Sequence, residues 1–528
     1  MKRSFPFGLL IVSALSFAAP LAAGTKIVGP GETLQLAEDL VLTGDDVLEI
    51  QGTAEQPCTL VGNRHRLRTD GKWTGSVKIM HCTIRQLGGP AKRSEKGQAT
   101  GPGATAIDLK AAGKGSIAFE HCTFDGCSAI HLQNDAASTA SFRHNTVQEN
   151  SEVAVSKDVD NSSHAFVARG NSRERKLFQG NFLARGKIVF QAPNWLIGGD
   201  RDEDSNLLIG WRIGVDAQGD NSIVRGNYFH LRMPINAEFP YWSQVSVFTT
   251  GKGVVGEHNI IRDGEWIVRF VEGEFRYNVI TDIIDHDLMQ TGSFGKVHHN
   301  LFLAGESDSR AGSMMGCIAV VYPPRNPGDG IEIYNNVFDG GGRLDVPAIE
   351  VSPKGFVKSV RSNVFFNFAH RDRYYKLPQA MIRPAWNDDA GEEKPARLGY
   401  ADYNLFHNPT VKTPRNYLLS VAGKVERQDA GFGKHDVPVG GAKDAQAEPK
   451  FKGPLKKFPF SNEDIRARKV TVSQILAAYR AAYTPAEGSP LIDAGDPADG
   501  KGNFIGAVGA GQNPPHDQFG RFGQASGK

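Results

Sequence analysis

The chain has 528 residues, 40% of them hydrophobic and 22% charged, with 60 Lys+Arg against 58 Asp+Glu. Such a balance belongs to a folded globular protein and excludes a disordered or collagen-like chain. Removing the first 23 residues, which carry Lys2 and Arg3 and no acid, takes the formal charge from +2 to zero. That excludes a large basic face for nucleic acid but leaves room for a local charged groove.

In chain order, the first element is a charged start at Lys2 and Arg3, an apolar run from about Phe5 to Ala19, and small residues at Ala22, Ala23 and Gly24. This pattern predicts a signal peptide over residues 1–23 and an exported protein, periplasmic or extracellular. Leu21 departs from the small residue expected three positions before the cut. An N-terminal membrane anchor is the alternative, but the run is shorter than the roughly 20 residues a span needs. No later stretch is long enough to insert in a bilayer. Five cysteines follow: Cys58, Cys82, Cys122, Cys127 and Cys317. An odd number leaves at least one unpaired in an exported protein. Cys82 and Cys122 both sit in a His-Cys-Thr triplet, which places them in one slot of a repeat and predicts stacked thiols. A Cys122–Cys127 disulfide is the other reading.

The repeat dominates the middle of the chain. A polar residue, an Asn and apolar positions recur at His144-Asn145-Thr146-Val147, Gly226-Asn227-Tyr228-Phe229 and His258-Asn259-Ile260-Ile261. The series continues at Asn278, Asn300, Asn336, Asn363 and Asn404. Asn259 to Asn278 and Asn278 to Asn300 are steps of 19 and 22 residues. Longer steps read as one unit with an inserted loop, or as two units. Short alternating runs precede the Asn positions, among them Ala106-Ile107-Asp108-Leu109, Arg212-Ile213-Gly214-Val215 and Ala348-Ile349-Glu350-Val351. Period-2 alternation predicts strands with one buried face. Units this short bury a core only by stacking. Asn tolerates a left-handed corner, and stacked Asn amides can bond to one another.

This pattern, from roughly Leu48 to Pro409, resembles the right-handed parallel β-helix of the pectate-lyase-like superfamily. The expected fold is therefore an all-β solenoid over residues 24–409, with loop insertions. A β-propeller, whose blades need about 40–50 residues, does not suit the short steps. Residues 410–510 read as a polar loop followed by a capping helix. Thr471-Val472-Ser473-Gln474 gives the cap, and Ile475, Leu476, Tyr479 and Tyr483 give the apolar face. This segment is expected to cover an end or flank of the stack and to hide a strand edge. Residues 511–528 read as a disordered tail.

Placing the alternating apolar residues inside turns a row of charges outward: Arg212, Asp216, Arg269, Asp285, Asp287, Glu350 and Arg383. Such a row suits an anionic polysaccharide. It equally suits a solvated sheet face with salt bridges, and a one-residue slip would invert it. The densest titratable stretch runs from Glu257 to His299. Within it, Asp285-His286-Asp287 offers two carboxylates around a His, fit to hold Ca²⁺ or to set a base. It is similar to the Asp/His strands of alginate epimerases and the Ile-Asp-His strand of pectate lyases. It lacks the Pro of the former and the Trp of the latter. A β-elimination lyase needs a cation on the uronate carboxylate, a base for the C5 proton and an acid for the leaving oxygen. Arg269 and Lys296 are the candidate bases, with Asp285, His286 and Asp287 beside them and Arg276 behind.

A second calcium candidate is the run Asp200, Asp202, Asp204 and Asn206, with oxygen ligands at alternate positions. Ser205 stands where a calcium loop has Gly, so an exposed acidic turn is the competing reading. Two insertions are aromatic: Leu231 to Gln244, with Trp242 as a sugar-stacking candidate, and Phe365 to Gln379. The function expected is an exported, monomeric enzyme, a β-elimination lyase on a uronic-acid-containing polysaccharide, with Ca²⁺ as cofactor and no nucleic-acid partner. A glycoside hydrolase, a C5-epimerase and a non-catalytic glycan-binding protein are the alternatives. The resemblance implies that a hydrolase on this fold would carry a paired-Asp motif and a Gly-His-Gly motif; here paired Asp residues occur only at Asp45-Asp46 and Asp388-Asp389, in expected loops, and no Gly-His-Gly is present, which disfavours the hydrolase.

Overall fold

The computed structural model describes residues 24–89, 92–93, 99–101, 105–148, 164–231, 245–262, 266–282, 288–305, 316–326, 328–344, 347–352, 355–369, 380–384, 397–410, 415–421, 424–428, 441–500 and 502–509. Short strands repeat in a three-step order along the chain and form three parallel ladders. Face A is a 14-stranded sheet from Thr25–Val28 to Arg397–Asp402. Faces B and C belong to one 28-stranded sheet. They are joined where the long strands Phe182–Phe190 and Leu207–Ala217 run on from one ladder into the other. One coil thus runs Glu274–Arg276 on A, Val279–Thr281 on B and Met289–Gly292 on C. Each strand pairs in parallel with its counterpart one coil later. The exceptions among the described residues are the antiparallel pairs Lys92–Arg93 with Ala99–Gly101 and Arg415–Val421 with Lys424–Gln428. The stack is a right-handed parallel β-helix, the hand set by strand twist.

The corner from A to B explains the Asn repeat. The residue before each Asn is left-handed: φ is 55° at His258, 56° at Tyr277 and 55° at His299. The Asn side chain then points inward and bonds along the stack. Asn278 Oδ1 accepts from the Asn259 backbone N–H at 2.9 Å and from Asn259 Nδ2 at 3.0 Å, and Asn278 Nδ2 donates to Asn300 Oδ1 at 2.9 Å. The ladder runs through Asn145, Asn181, Asn206, Asn227, Asn259, Asn278, Asn300, Asn336, Asn363 and Asn404. It ends on Asp444. Asn181 and Asn206 are rungs that the motif series omits. The long steps after Asn227 are single coils with insertions. Toward the N-terminus cysteines take the slot: Cys58 is in register with Cys82, and the Cys122 N–H donates to Asn145 Oδ1 at 2.9 Å. All five cysteines are buried and free, so the Cys122–Cys127 pairing is corrected. Their sulfurs instead lie against carbonyls, Cys122 Sγ 3.4 Å from Ile79 O and Cys127 Sγ 3.3 Å from Ile84 O.

Inside, identical residues stack from coil to coil. Phe302, Phe338, Phe365 and Phe406 form a column with ring centroids 5.0, 4.9 and 5.0 Å apart. Aromatic pairs at this spacing add about 0.5–1.5 kcal/mol beyond area burial. The C-terminal segment contains helix α1 (Asn462–Arg466) and helix α2 (Val472–Ala482). Helix α2 has the expected capping box between Thr471 and Gln474. Its apolar face meets the outer side of face B, where Tyr228, Ile260, Val279, Leu301, Val337, Val364 and Leu405 form an apolar column. Each buried Ile475, Leu476 or Tyr479 side chain contributes roughly 1.5–3 kcal/mol. The helix therefore covers a flank. Covering a strand edge is not its role, because face B is apolar on both sides and needs a lid along its length. Among the described residues, no helix is long and apolar enough to cross a membrane.

Candidate functional site

The outward side of face C carries a mixed column, fixed by the ladder register and polar at eight of its twelve rungs. In successive coils it reads Arg68, Asp108, His131, Val167, Val189, Asp216, Phe248, Arg269, Gln290, Ala319, Glu350 and Arg383. Neighbouring rungs are about 4.8 Å apart. Val268, Phe270, Ile349 and Val351 are buried between them, so the alternation faces as the sequence reading has it. Arg269 is half-buried, and its Nε and Nη2 donate to Gln290 Oε1 at 3.3 and 3.1 Å. Its guanidinium lies 5.8 Å from the Tyr322 ring centroid. Three rungs further on, Arg383 and Glu350 make an ion pair at 2.8 Å, although both are outward in register; they are only 1% and 3% exposed. On the other side, Gln218 Nε2 donates to Asp216 Oδ2 at 2.9 Å. Gln191 Nε2 donates to Gln218 Oε1 at 3.2 Å, and Arg169 Nε donates to Gln191 Oε1 at 3.0 Å. The first coils add Arg68–Asp39 at 3.2 Å and Arg66–Asp108 at 3.4 Å. Burial lowers the His131 pKa, keeping that imidazole neutral.

The structure brings Asp216, Arg269, Glu350 and Arg383 onto one column. Arg212 lies four residues before Asp216 in the strand Leu207–Ala217. Asp285, His286, Asp287 and Trp242 fall outside the described residues. Lys296 and Arg276 are elsewhere, on the outer side of face A, in adjacent coils. There Lys296 is exposed. Arg276 is engaged by Glu257 at 2.6 Å and by Glu274 at 3.0 Å. Grouping Lys296 with Arg269 is therefore corrected: a turn of the coil separates them, and the outer sides of two faces point apart. Sequence reasoning passed over Gln290, Tyr322, Arg68, Asp108 and His131. The signal for four of them was the same alternation, one rung at a time.

The face A network is internally satisfied. Glu257 is buried between Arg225 and Arg276, and despite the opposing effect of burial these cations lower its pKa. Glu274 accepts from His298 Nε2 at 2.7 Å, and chiefly this bond holds its pKa down at about 2. Burial lowers the His298 pKa, so the neutral ring donates from Nε2 and accepts at Nδ1 from His299 at 2.7 Å. Tyr334 stacks on His298 with centroids 4.6 Å apart, and Arg361 lies 4.5 Å over Tyr334. Arg361 then pairs with Asp499 at 2.7 Å, tying the C-terminal segment to the coil.

The calcium expectation at Asp200, Asp202, Asp204 and Asn206 is also corrected. The four side chains do not converge. Asp200 pairs with Arg225, and Asp204 with Arg201 at 2.9 Å. Asp202 Oδ1 accepts from the Ser473 N–H at 2.9 Å, satisfying an orphan donor at the start of helix α2. Asn206 is fully buried in the Asn ladder. Among the described residues no group of three or more His, Cys, Asp or Glu side chains is placed to hold a metal ion.

No family model and no curated protein matches the sequence. Solved structures with a similar chain path include the periplasmic alginate epimerase AlgG, at 10% identity and TM-score 0.32, covering 80% of this chain and 79% of that one. A PL6 alginate lyase solved with a trisaccharide matches at 12% identity and TM-score 0.33, covering 81% and 90%. The PL6 polysaccharide lyase Pedsa3628 from Pseudopedobacter saltans matches at 12% and 0.29, covering 80% and 90%. The parallel β-helix expected from the repeat rests on the ladders of the chain itself.

Proposed function

We propose that the chain is an exported enzyme that binds a uronic-acid-containing polysaccharide along face C and cleaves it by β-elimination. The observation that supports this reading is the middle of the outward column, where Asp216, Arg269 and Gln290 lie on one sheet ladder with Phe248 between the first two. Arg269 is the residue best suited to the reacting sugar. Its guanidinium is permanently charged, planar and oriented by Gln290, so it can neutralise a uronate carboxylate and acidify the adjacent C5 proton.

In this proposal a base takes the C5 proton, the electron pair forms the C4–C5 double bond, and the C4–O bond breaks. A proton then goes to the leaving oxygen. Asp285, His286 and Asp287 are the proposed proton-transfer residues, because they immediately precede the strand that carries Gln290, the rung next to Arg269. The Asp200–Asn206 turn contributes no step.

The test is incubation of the purified protein with a panel of polyuronates, following absorbance of the unsaturated uronate product. Absorbance should rise on at least one polymer, and Arg269→Ala and Asp285→Ala should each lower the rate by about a hundredfold or more with the circular dichroism spectrum unchanged. No rise on any polymer would rule out the lyase. Reducing ends released without absorbance would point to hydrolysis instead.

A further inference from the structure

The C-terminal segment concentrates positive charge. Residues 450–469 hold seven Lys and Arg against Glu463 and Asp464, a net of +5 in a chain whose total is +2. Arg466 and Arg468 hold the segment to the coil. The Arg466 guanidinium lies 4.9 Å from the Phe182 ring centroid, and Arg468 Nη2 donates to the carbonyls of Gly180 and Ser205 at 2.7 and 3.1 Å. Lys469 pairs with Asp464 at 3.7 Å. Lys450, Lys452, Lys456 and Lys457 are exposed, and none of them has a carboxylate partner among the described residues. Lys450 Nζ donates to Gly488 O at 3.3 Å, which leaves Lys452, Lys456 and Lys457 for a partner outside the chain.

These lysines stand on a pinned segment. The Lys452 N–H donates to Thr484 O and the Gly453 N–H to Ala482 O, each at 3.0 Å, and the Ala486 N–H donates to Lys450 O at 2.8 Å. Between the lysines the apolar side chains turn inward. The Phe451 ring lies 5.4 Å from Phe366 and 5.3 Å from Tyr483. The Phe458 ring lies 6.3 Å from both Tyr228 and Tyr479, and the Arg262 guanidinium sits 3.8 Å from it. Leu455 and Phe460 are half-buried in the same cluster. The in-and-out pattern of Lys450, Phe451 and Lys452, repeated at Lys457 and Phe458, lays the apolar side on face B and leaves the ammonium groups in water.

We propose that Lys452, Lys456 and Lys457 form an anchoring surface for a linear anionic polysaccharide, separate from the column on face C. This rests on the reading of the polymer as acidic and not on the elimination step. Lys is a compact point charge on a flexible stem, suited to following spaced carboxylates without fixing a register. Three such charges within six residues raise the local concentration of a polyanion. An anionic bilayer suits the surface less well, because the Phe side chains that would enter it are already packed on face B. Faces B and C point apart on a three-sided coil, so one straight stretch of polymer cannot lie on both. A long polymer can reach both, and binding at one raises its effective concentration at the other. The anchor therefore acts on long chains and is idle on short ones.

The test is biolayer interferometry of the full chain on immobilised long polygalacturonate, in an Arg269→Ala background so that turnover does not consume the polymer. Binding should be saturable. It should weaken as salt is raised from about 0.1 to about 1 M, where the screening length falls from about 10 to about 3 Å. Lys452→Gln, Lys456→Gln and Lys457→Gln combined should weaken it by about tenfold or more. Lys452→Arg, Lys456→Arg and Lys457→Arg combined, which keep the charge, should stay within about twofold of the parent. Trigalacturonate in solution should show no such difference between the Gln variant and the parent. Equal polymer binding by the Gln variant and the parent, an equal loss in the Arg variant, or a matching loss on trigalacturonate would each overturn the proposal. Capture by phosphatidylglycerol vesicles without polymer binding would overturn it in favour of a lipid surface. Lysine-dependent polymer binding by a chain that yields no unsaturated product would sink the face C lyase and uphold the anchor.

Discussion

Replacing Asn278 by Ala tests what holds the coil together. The Asn278 side chain makes five hydrogen bonds: it accepts from the Asn259 N–H and Nδ2 and donates to the carbonyls of Gly256 and Arg276 and to Asn300 Oδ1. The residue is 1% exposed, so water cannot replace these partners. At about 1 kcal/mol net for each bond, with the shared Nδ2 protons counting for less, the loss is roughly 3–5 kcal/mol. That is a large fraction of a typical total stability of about 5–15 kcal/mol. Urea unfolding followed by circular dichroism should show it as a lower midpoint, or as an early phase if the coils unfold in parts. Asn326→Ala, an exposed control, should change stability by less than about 0.5 kcal/mol. A loss under about 1 kcal/mol for Asn278→Ala would refute the view that the amide ladder secures the corners. The converse change is Cys122→Asn. It places an amide where Cys122 Sγ now lies 3.4 Å from Ile79 O and accepts from the Cys82 N–H, and it should raise stability by about 1 kcal/mol.

Two further outcomes follow from buried titratable groups. Burial pushes the Cys122 thiol up to about 12 and Cys127 to about 11, so a thiol reagent at neutral pH should label no cysteine in the native protein. All five should react after unfolding without reductant, and fewer than five would mean disulfides exist. Acid should destabilise the chain in two windows. His121 stacks between His81 and His144 at 4.6 and 4.8 Å, and burial together with the neighbouring ring lowers the pKa of His121 and of His144. Stability from these neutral rings is complete above the ordinary His value of about 6.5 and falls as pH drops through it. Glu274, held at about 2 by its bond from His298, contributes stability above the ordinary Glu range that is lost as pH falls from there toward 2. Melting temperatures from pH 8 to pH 3 should fall in both windows. His121→Asn should flatten the upper one, and an unchanged upper slope would show that the stack does not titrate as described.

The repeat determined the fold. Period-2 alternation and a polar residue before Asn at steps near 20 residues leave a stacked coil as the way to bury short strands, and the Asn corner needs one left-handed residue and one inward amide. Local chemistry also set the helix cap at Thr471 and the outward phase of Asp216, Arg269, Glu350 and Arg383, because a strand has only two sides. Only the tertiary structure decided which face each rung occupies. Arg269 and Lys296 are 27 residues apart, yet the three-sided coil sends one to face C and the other to face A. Asp200 to Asn206 resembled a metal loop because alternate oxygens are visible in a sequence and their partners are not. Those partners, Arg225, Arg201, Ser473 and Asn227, come from other coils, from the same turn and from the C-terminal helix.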